Sequence, residues 1–320
     1  MTPTPSRRIL LVTHASRADA QELAAGVATR LLAMGVGVCA PPEDLVDTAL
    51  STVHGVQASV DPRTADGAGD SPALGCELVC VLGGDGTILR GAELSRGSGV
   101  PLLGVNLGHV GFLAEVERED LDETVERIVA RDYTVEKRTA LEVTARLDGD
   151  TVFSSWALNE VTVEKASRER MIELTVAIDG RPLSTWGCDG VVMATPTGST
   201  AYAFSAGGPI VWPDVEALLV VPISAHALFA RPVVVGPQSR LLVEVLPHTG
   251  ASGVVCCDGR RAVVLPPGAR VEVQRSEEPV LLARLSDGGF TDRLVEKFDL
   301  PVSGWRGAAR RAMADGDRLP

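Results

Sequence analysis

The sequence predicts an α/β domain built on a parallel sheet, followed by a β-rich, sandwich-like domain. Three observations carry this. Short apolar runs alternate with amphipathic stretches up to about residue 135. From Tyr133 onward, brief strand-like runs recur with turn signals between them. Near the end, "FTDRLVEKFDLP" becomes helical again. The expected boundaries are 1–135 for the first domain, 136–290 for the second, and 291–320 for a helix and tail returning to the first.

In the first domain, "RILLVTH" (8–14) is a buried strand, too short for a free-standing helix. Ser16 is placed to cap the next segment, where Leu23, Val27, Leu31 and Leu32 share one helical face before Gly35 stops it. "VGVC" resumes as a strand. Residues 61–75 are polar and rich in Gly, Pro, Ala and Asp, which predicts a surface loop. "CELVCVL" is a strand, "GTILRGAELSR" a helix and "VPLLGVNL" a strand, and "DLDETVERIVARD" carries Leu121, Val125, Ile128 and Val129 on one stripe. Apolar strands alternating with helices imply a parallel sheet, in which ligands bind beyond the carboxyl ends of the strands. In the second domain, Asp-Gly pairs at 148–149, 179–180 and 258–259 mark hairpin turns.

Composition excludes several functions. The 30 basic and 42 acidic residues give a net charge of −12, unsuited to nonspecific nucleic-acid binding. The basic clusters "SRRIL" and "RGAARRAMADGDR" read as solvated tails. No apolar run reaches membrane-spanning length, and the N-terminal apolar core is short for a signal peptide, so a cytoplasmic protein is expected. The six cysteines show no CxxC pair or Cys/His ligand spacing, which predicts buried free thiols and no structural zinc. His226 stands alone, with neither a Ser–His–Asp spacing nor a zinc-hydrolase helix.

Four stretches could carry chemistry. "LGGDGT" places Gly83, Gly84 and Gly86 around Asp85, directly after a strand and before a helix. Glycines let a backbone approach a ligand, and a helix N-terminus attracts an anion. An acid there needs a task, such as taking a proton from an attacking hydroxyl or holding a metal. "ATPTGSTAYAFSAGGP" packs hydroxyls around Tyr202, suited either to a polar ligand with a stacked base or to an ordinary turn. "WALNEVTVEK" puts adjacent Asn159 and Glu160 in a strand, where one of the two faces inward and needs a partner. In "WGCDGVVMATP", Asp189 by itself reads as a turn.

Together these stretches resemble the NAD kinase family, bacterial type. The resemblance rests on "LGGDGTILR", "NLGHVGFLAE", "LNEVTVEK", "CDGVVMATPTGSTAYAFSAGGP" and "HALFARPVV", in that order over residues 77 to 265. It implies a Rossmann-like, kinase-type first domain and transfer of the γ-phosphate of ATP to the 2′-hydroxyl of the adenosine ribose of NAD. It further implies Asp85 as the general base and Gly83 and Gly84 on the ATP phosphate path. Asp85, Gly86, Arg90, Asn159, Glu160, Arg170, Asp189, Thr200, Ala201, Tyr202, Ala203, Phe204 and Ser205 are implied to bind NAD. Mg²⁺ or Mn²⁺ is expected to arrive with ATP, since the sequence shows no dedicated cage of carboxylates. A homo-oligomer, dimer or tetramer, follows from the resemblance alone. A lipid kinase would share "GGDGT" but calls for a basic membrane-docking helix, and none is present. A non-enzymatic dinucleotide sensor would not need the acid.

Overall fold

The computed structural model describes residues 7–14, 17–59, 71–107, 111–116, 120–168, 170–285 and 288–302. The cap expected at Ser16, residues 61–70 of the polar loop and the C-terminal basic cluster lie outside the described residues. The chain divides into two compact units, Met1–Val135 with Ala283–Pro320, and Glu136–Leu282.

The first unit is organised by a sheet of seven strands among the described residues. These are β1 (Arg8–Thr13), β2 (Gly37–Ala40), β3 (Gln57–Ala58), β4 (Leu78–Leu82), β5 (Leu102–Val105), β6 (Thr134–Arg138) and β19 (Val280–Arg284), in the order β3-β2-β1-β4-β5-β19-β6. From β3 to β5 every neighbouring pair is parallel. All five residues of β4 are buried, as a strand covered on both faces requires. Helix α1 (Ala18–Ala33) buries Ala20, Ala24, Val27, Ala28 and Leu31, and Gly35 follows it at φ +79°. Helix α3 (Leu121–Ala130) buries Thr124, Val125 and Ile128. At the N-terminus Arg7 is no solvated residue. Its guanidinium pairs with Glu77 at 2.5 Å and donates to the Val129 carbonyl at 2.8 Å, tying the start of β1 to the end of α3.

Helix α5 (Phe290–Phe298) belongs to this unit. Its Phe290 and Phe298 rings each lie 5.9 Å from the ring of Phe112. Arg293 reaches the Glu115 carboxylate at 2.7 Å, and Arg284 of β19 reaches the same oxygen at 2.8 Å. A buried carboxylate held by two guanidiniums anchors the segment 111–116 to the C-terminal part of the chain.

Among the described residues, the second unit is a sandwich of two six-stranded antiparallel sheets. One runs β11-β10-β15-β18-β7-β8, from β7 (Leu141–Leu147), β8 (Asp150–Ala157), β10 (Ile172–Ile178), β11 (Arg181–Cys188), β15 (Leu241–Val245) and β18 (Arg270–Arg275). The other runs β14-β13-β12-β9-β16-β17, from β9 (Glu160–Lys165), β12 (Gly190–Ala194), β13 (Leu218–Ile223), β14 (Val233–Val235), β16 (Gly253–Cys257) and β17 (Arg261–Leu265). Alternate residues from both sheets, Val143, Leu174 and Val243 with Val163, Met193 and Val255, meet in one core around the fully buried Trp186. The Trp186 indole N–H donates to the Phe229 carbonyl at 2.9 Å, so its polar atom is satisfied.

All three predicted Asp-Gly hairpins form. Asp148, Asp179 and Asp258 have φ of 51°, 52° and 52°, and the following glycines are also left-handed, at 95°, 74° and 66°. Two successive left-handed residues give the turn whose twist matches a right-twisted β-ribbon. The six cysteines are free thiols. Cys39, Cys80, Cys188 and Cys257 are buried as expected, whereas Cys76 and Cys256 are only partly so.

Candidate active site

Each unit carries one group of the predicted residues. In the first, β4 runs into the glycine turn and α2 (Asp85–Ser95) begins at Asp85, with Gly84 as its N-cap residue. The turn therefore lies at the carboxyl end of a parallel strand and the amino end of a helix, where free amides and the helix dipole favour an anion. The glycines are not alike. A side chain at Gly83 would run into Thr87, with a Cβ only 2.5 Å from its Oγ1. Gly84 and Gly86 have open space beside them and are exposed, and Gly84 has an ordinary extended φ of −81°. Unusual backbone angles therefore do not explain those two. Their bareness leaves the helix N-terminus open to a ligand.

The Asp85 side chain is held by the segment that α5 anchors. Phe112 and Leu113 donate their backbone N–H groups to its two oxygens at 3.4 and 3.3 Å. Gly111 packs so closely on the carboxylate that a Cβ there would collide with it. These long bonds leave Asp85 partly exposed at the mouth of the turn.

Arg90, implied by the resemblance to meet NAD, is engaged here by groups of its own unit. Its guanidinium donates to the Thr13 carbonyl at 3.0 Å and to Glu43 at 2.9 Å, and it pairs with the fully buried Asp44 at 2.8 Å. Asp44 would be a costly buried charge without it. Arg90 thus fastens the end of β1 and the middle of α2 to the segment after β2.

In the second unit, Asn159 and Glu160 form the turn into β9, and both are buried, at 8% and 7% exposure. Asp258, from the β16–β17 hairpin, inserts its carboxylate into that turn. It accepts the N–H of Leu158 at 2.9 Å, of Asn159 at 2.7 Å and of Glu160 at 3.3 Å. Arg261 adds a fourth donor at 2.9 Å, and its guanidinium carbon lies 4.6 Å from the centre of the Trp156 ring. Sequence reasoning left Asp258 as a turn residue, which it is, and missed this second role. Burial, then the charge of Asp258, pushes the Glu160 carboxyl up to about 8.

The "TPTGSTAY" stretch packs against the same turn. Gly198 lies so close to the backbone of Asn159 that no Cβ fits there. The hydroxyls predicted to meet a ligand are partly engaged in holding this shape. Thr195 Oγ1 donates to the Leu158 carbonyl at 2.6 Å, Ser199 Oγ donates to the Pro196 carbonyl at 2.7 Å, and Thr200 Oγ1 donates to the Thr197 carbonyl at 3.3 Å. In the short helix α4 (Tyr202–Ser205), Tyr202, Phe204 and Ser205 are exposed. Ala201 is partly buried, and the Ala203 methyl is buried against Val192, Ala194, Leu219 and Val221, leaving only its backbone for a ligand. Tyr202 donates its hydroxyl to Glu164 at 3.2 Å. Asp189 pairs with Lys165 Nζ at 2.5 Å, a partner the sequence did not point to, while Arg170 is exposed just before β10.

A glycine turn that bares a helix N-terminus, with a reachable carboxylate fixed in it, is what phosphoryl transfer to a hydroxyl requires: a seat for phosphate and a base for the acceptor. The class is therefore a phosphotransferase with an alcohol group as acceptor. Residues 9–133 match the ATP-NAD kinase N-terminal domain, and residues 158–285 match the ATP-NAD kinase C-terminal domain. The chain is 56% identical over 308 residues to NAD kinase 2 of Streptomyces coelicolor, covering 96% of this chain and 99% of that one. It is 57% identical over 306 residues to the NAD kinase of Leifsonia xyli subsp. xyli, covering 94% and 97%. Among solved structures it resembles yeast NADH kinase complexed with NADH, with a TM-score of 0.82 at 23% identity over 94% of this chain and 90% of that one. The chain belongs to the NAD kinase family.

Proposed function

We propose that this protein transfers the γ-phosphate of ATP to the 2′-hydroxyl of the adenosine ribose of NAD, giving NADP and ADP. The observation that carries the proposal is Asp85, an accessible carboxylate held by backbone amides at a bare helix N-terminus. Full-length relatives with more than half of their residues identical carry the name NAD kinase, which supports the choice of acceptor.

Asp85 accepts the proton of the ribose hydroxyl as that oxygen attacks the γ-phosphorus. Gly83 and Gly84 border the path of the ATP phosphates, and Gly86 leaves room beside the acceptor. The N–H groups at the start of α2 stabilise charge on the transferring group. Asn159, Glu160 and Asp189 bind the dinucleotide through its polar groups, while Thr200, Ala201, Tyr202, Phe204 and Ser205, with the Ala203 backbone, border its bases. Arg170 is an exposed source of positive potential, whereas Arg90 acts by holding the loop around the site.

Among the described residues, no three His, Cys, Asp or Glu side chains converge on a point. Mg²⁺ or Mn²⁺ fits best as a passenger on the ATP phosphate oxygens, where it supplies neutralisation of phosphate charge. A cytoplasmic homo-oligomer, dimer or tetramer, completes the reading. Among the described residues, no helix is long and apolar enough to cross a membrane. The deciding experiment mixes the purified protein with ATP, Mg²⁺ and NAD and measures NADP, with lipid vesicles as an alternative acceptor. NADP formation supports the proposal, and phosphorylated lipid without NADP contradicts it.

A further inference from the structure

Two carboxyl groups meet at the turn before β9, and the structure treats them unequally. Asp258 collects four donors, three successive backbone N–H groups and the Arg261 guanidinium, whereas the Glu160 carboxyl is met by one backbone N–H, that of Tyr202. Glu160, directly beside it, is 7% exposed, and its Oε2 meets no hydrogen-bonding partner among the described residues. An ionised carboxylate in that position would be buried, short of donors and next to a second negative charge, a combination that proteins relieve by keeping the proton.

We infer that Glu160 acts as a neutral carboxyl that donates its proton, as a hydrogen bond, to an uncharged acceptor on the nucleoside part of the dinucleotide, and that Asp258 holds it in that state. The inference rests on the proposed function for the identity of the ligand. Chemically it answers a difficulty. A dinucleotide carries negative phosphates, the chain has a net charge of −12, and a second ionised acid in the pocket would repel the ligand. A protonated acid contributes a directional donor without that charge, as a carboxylic acid in an apolar site can. Burial raises the Asp258 carboxyl too, but three amides and Arg261 oppose that rise, whereas Glu160 has one backbone donor. Asp258 therefore takes the ionised role, and its charge raises the cost of ionising Glu160.

The surroundings of Glu160 agree. Its direct neighbour across the sheet on β12 is Ala194, which carries no charge. Asp258 and Arg261 face it from the β16–β17 hairpin, and that arginine is already bonded to Asp258. Cys256 on β16, Tyr202 on α4 and Glu164 farther along β9 complete the titratable groups around it. Burial holds the Cys256 thiol and the Tyr202 hydroxyl above their usual ranges, so both stay protonated where Glu160 changes state.

The test is NAD affinity without ATP, by calorimetric titration of the full-length protein from about pH 6.5 to about pH 9.5, a range that brackets the Glu160 transition. In the unaltered protein the dissociation constant should rise on passing pH 8, approaching about tenfold per pH unit. In Glu160→Gln, whose amide donates at every pH, that rise should vanish. Asp258→Asn should move the onset to lower pH, because the neighbouring negative charge is gone. Infrared spectra at neutral pH should show a protonated-carboxyl band that Glu160→Gln lacks. A parallel rise in both proteins, a flat profile in the unaltered one, or no such band overturns the inference. A protein that binds NAD tightly with a flat profile keeps the proposed function and loses only this step. A protein that binds no NAD at any pH loses both.

Discussion

Asp85 and Asp258 are both followed by glycine, and both accept backbone N–H groups, yet they are built for opposite work. Asp85 receives two long bonds, 3.4 and 3.3 Å, from the Phe112–Leu113 segment, and stays partly exposed at the start of a helix. Asp258 is 6% exposed and receives three amides at 2.7 to 3.3 Å as well as Arg261 at 2.9 Å. Under the proposed function, the difference separates an acid available for chemistry from one that fixes a fold. A buried carboxylate tied by four donors has no face left for a substrate and serves as a strut. Leaving one loosely held but aimed lets it exchange a proton without rebuilding its surroundings.

The comparison predicts different failures. At fixed pH the largest expected stability change is at Asp258. Asp258→Ala leaves three amides and Arg261 without their acceptor, and should lower stability by about 3 kcal/mol in denaturant unfolding, since breaking a buried pair strands the partner. A loss below about 0.5 kcal/mol, the usual range for surface changes, would show that Asp258 is not a strut. Next is Gly111→Ala, whose added methyl collides with the Asp85 carboxylate rather than with a core element. It should cut kcat by roughly tenfold or more through misplacement of the proposed base, while shifting Tm by only a few degrees. A normal kcat in this variant would mean that the 111–113 segment does not position Asp85.

A third effect shows only as pH changes. The folded protein holds the proton of Glu160 up to about 8, against an ordinary value of 4.5. Stability from that proton is fully present below the ordinary value and is lost as pH rises through the folded one. Glu160→Gln has no such loss. The Tm of the variant relative to the unaltered protein should therefore climb between about pH 5 and pH 8 and level off above, as scanning calorimetry can follow. A constant difference across that range contradicts the protonated state.

Much of this could be read before the structure, and the reasons are physical. Local rules sufficed where the cause was local. Alternating apolar runs gave the parallel sheet. Asp-Gly pairs gave three hairpins, because few residues tolerate two consecutive left-handed positions. "GGDGT" after a strand placed Asp85 at a helix start, because glycine turns and helix N-termini are features of neighbouring residues. What stayed hidden depended on distant partners. Asp258 meets Leu158 across 100 residues, and Arg90 meets Asp44 across 46. Nothing in "CCDGR" or "PPEDL" announces those contacts. Arg7 read as part of a basic tail because its acceptors, Glu77 and the end of α3, lie far along the chain. The hydroxyl-rich stretch showed the right residues, but not how many of them bond inward to hold Asn159 in place.

The most direct test of the difference between the two aspartates is the turnover of Asp85→Asn in NADP formation, measured together with its NAD affinity and melting temperature. The expected result is a folded protein that still binds NAD and whose kcat is lower by about 100-fold or more, the range for a lost general base. Near-normal turnover in that variant would contradict it.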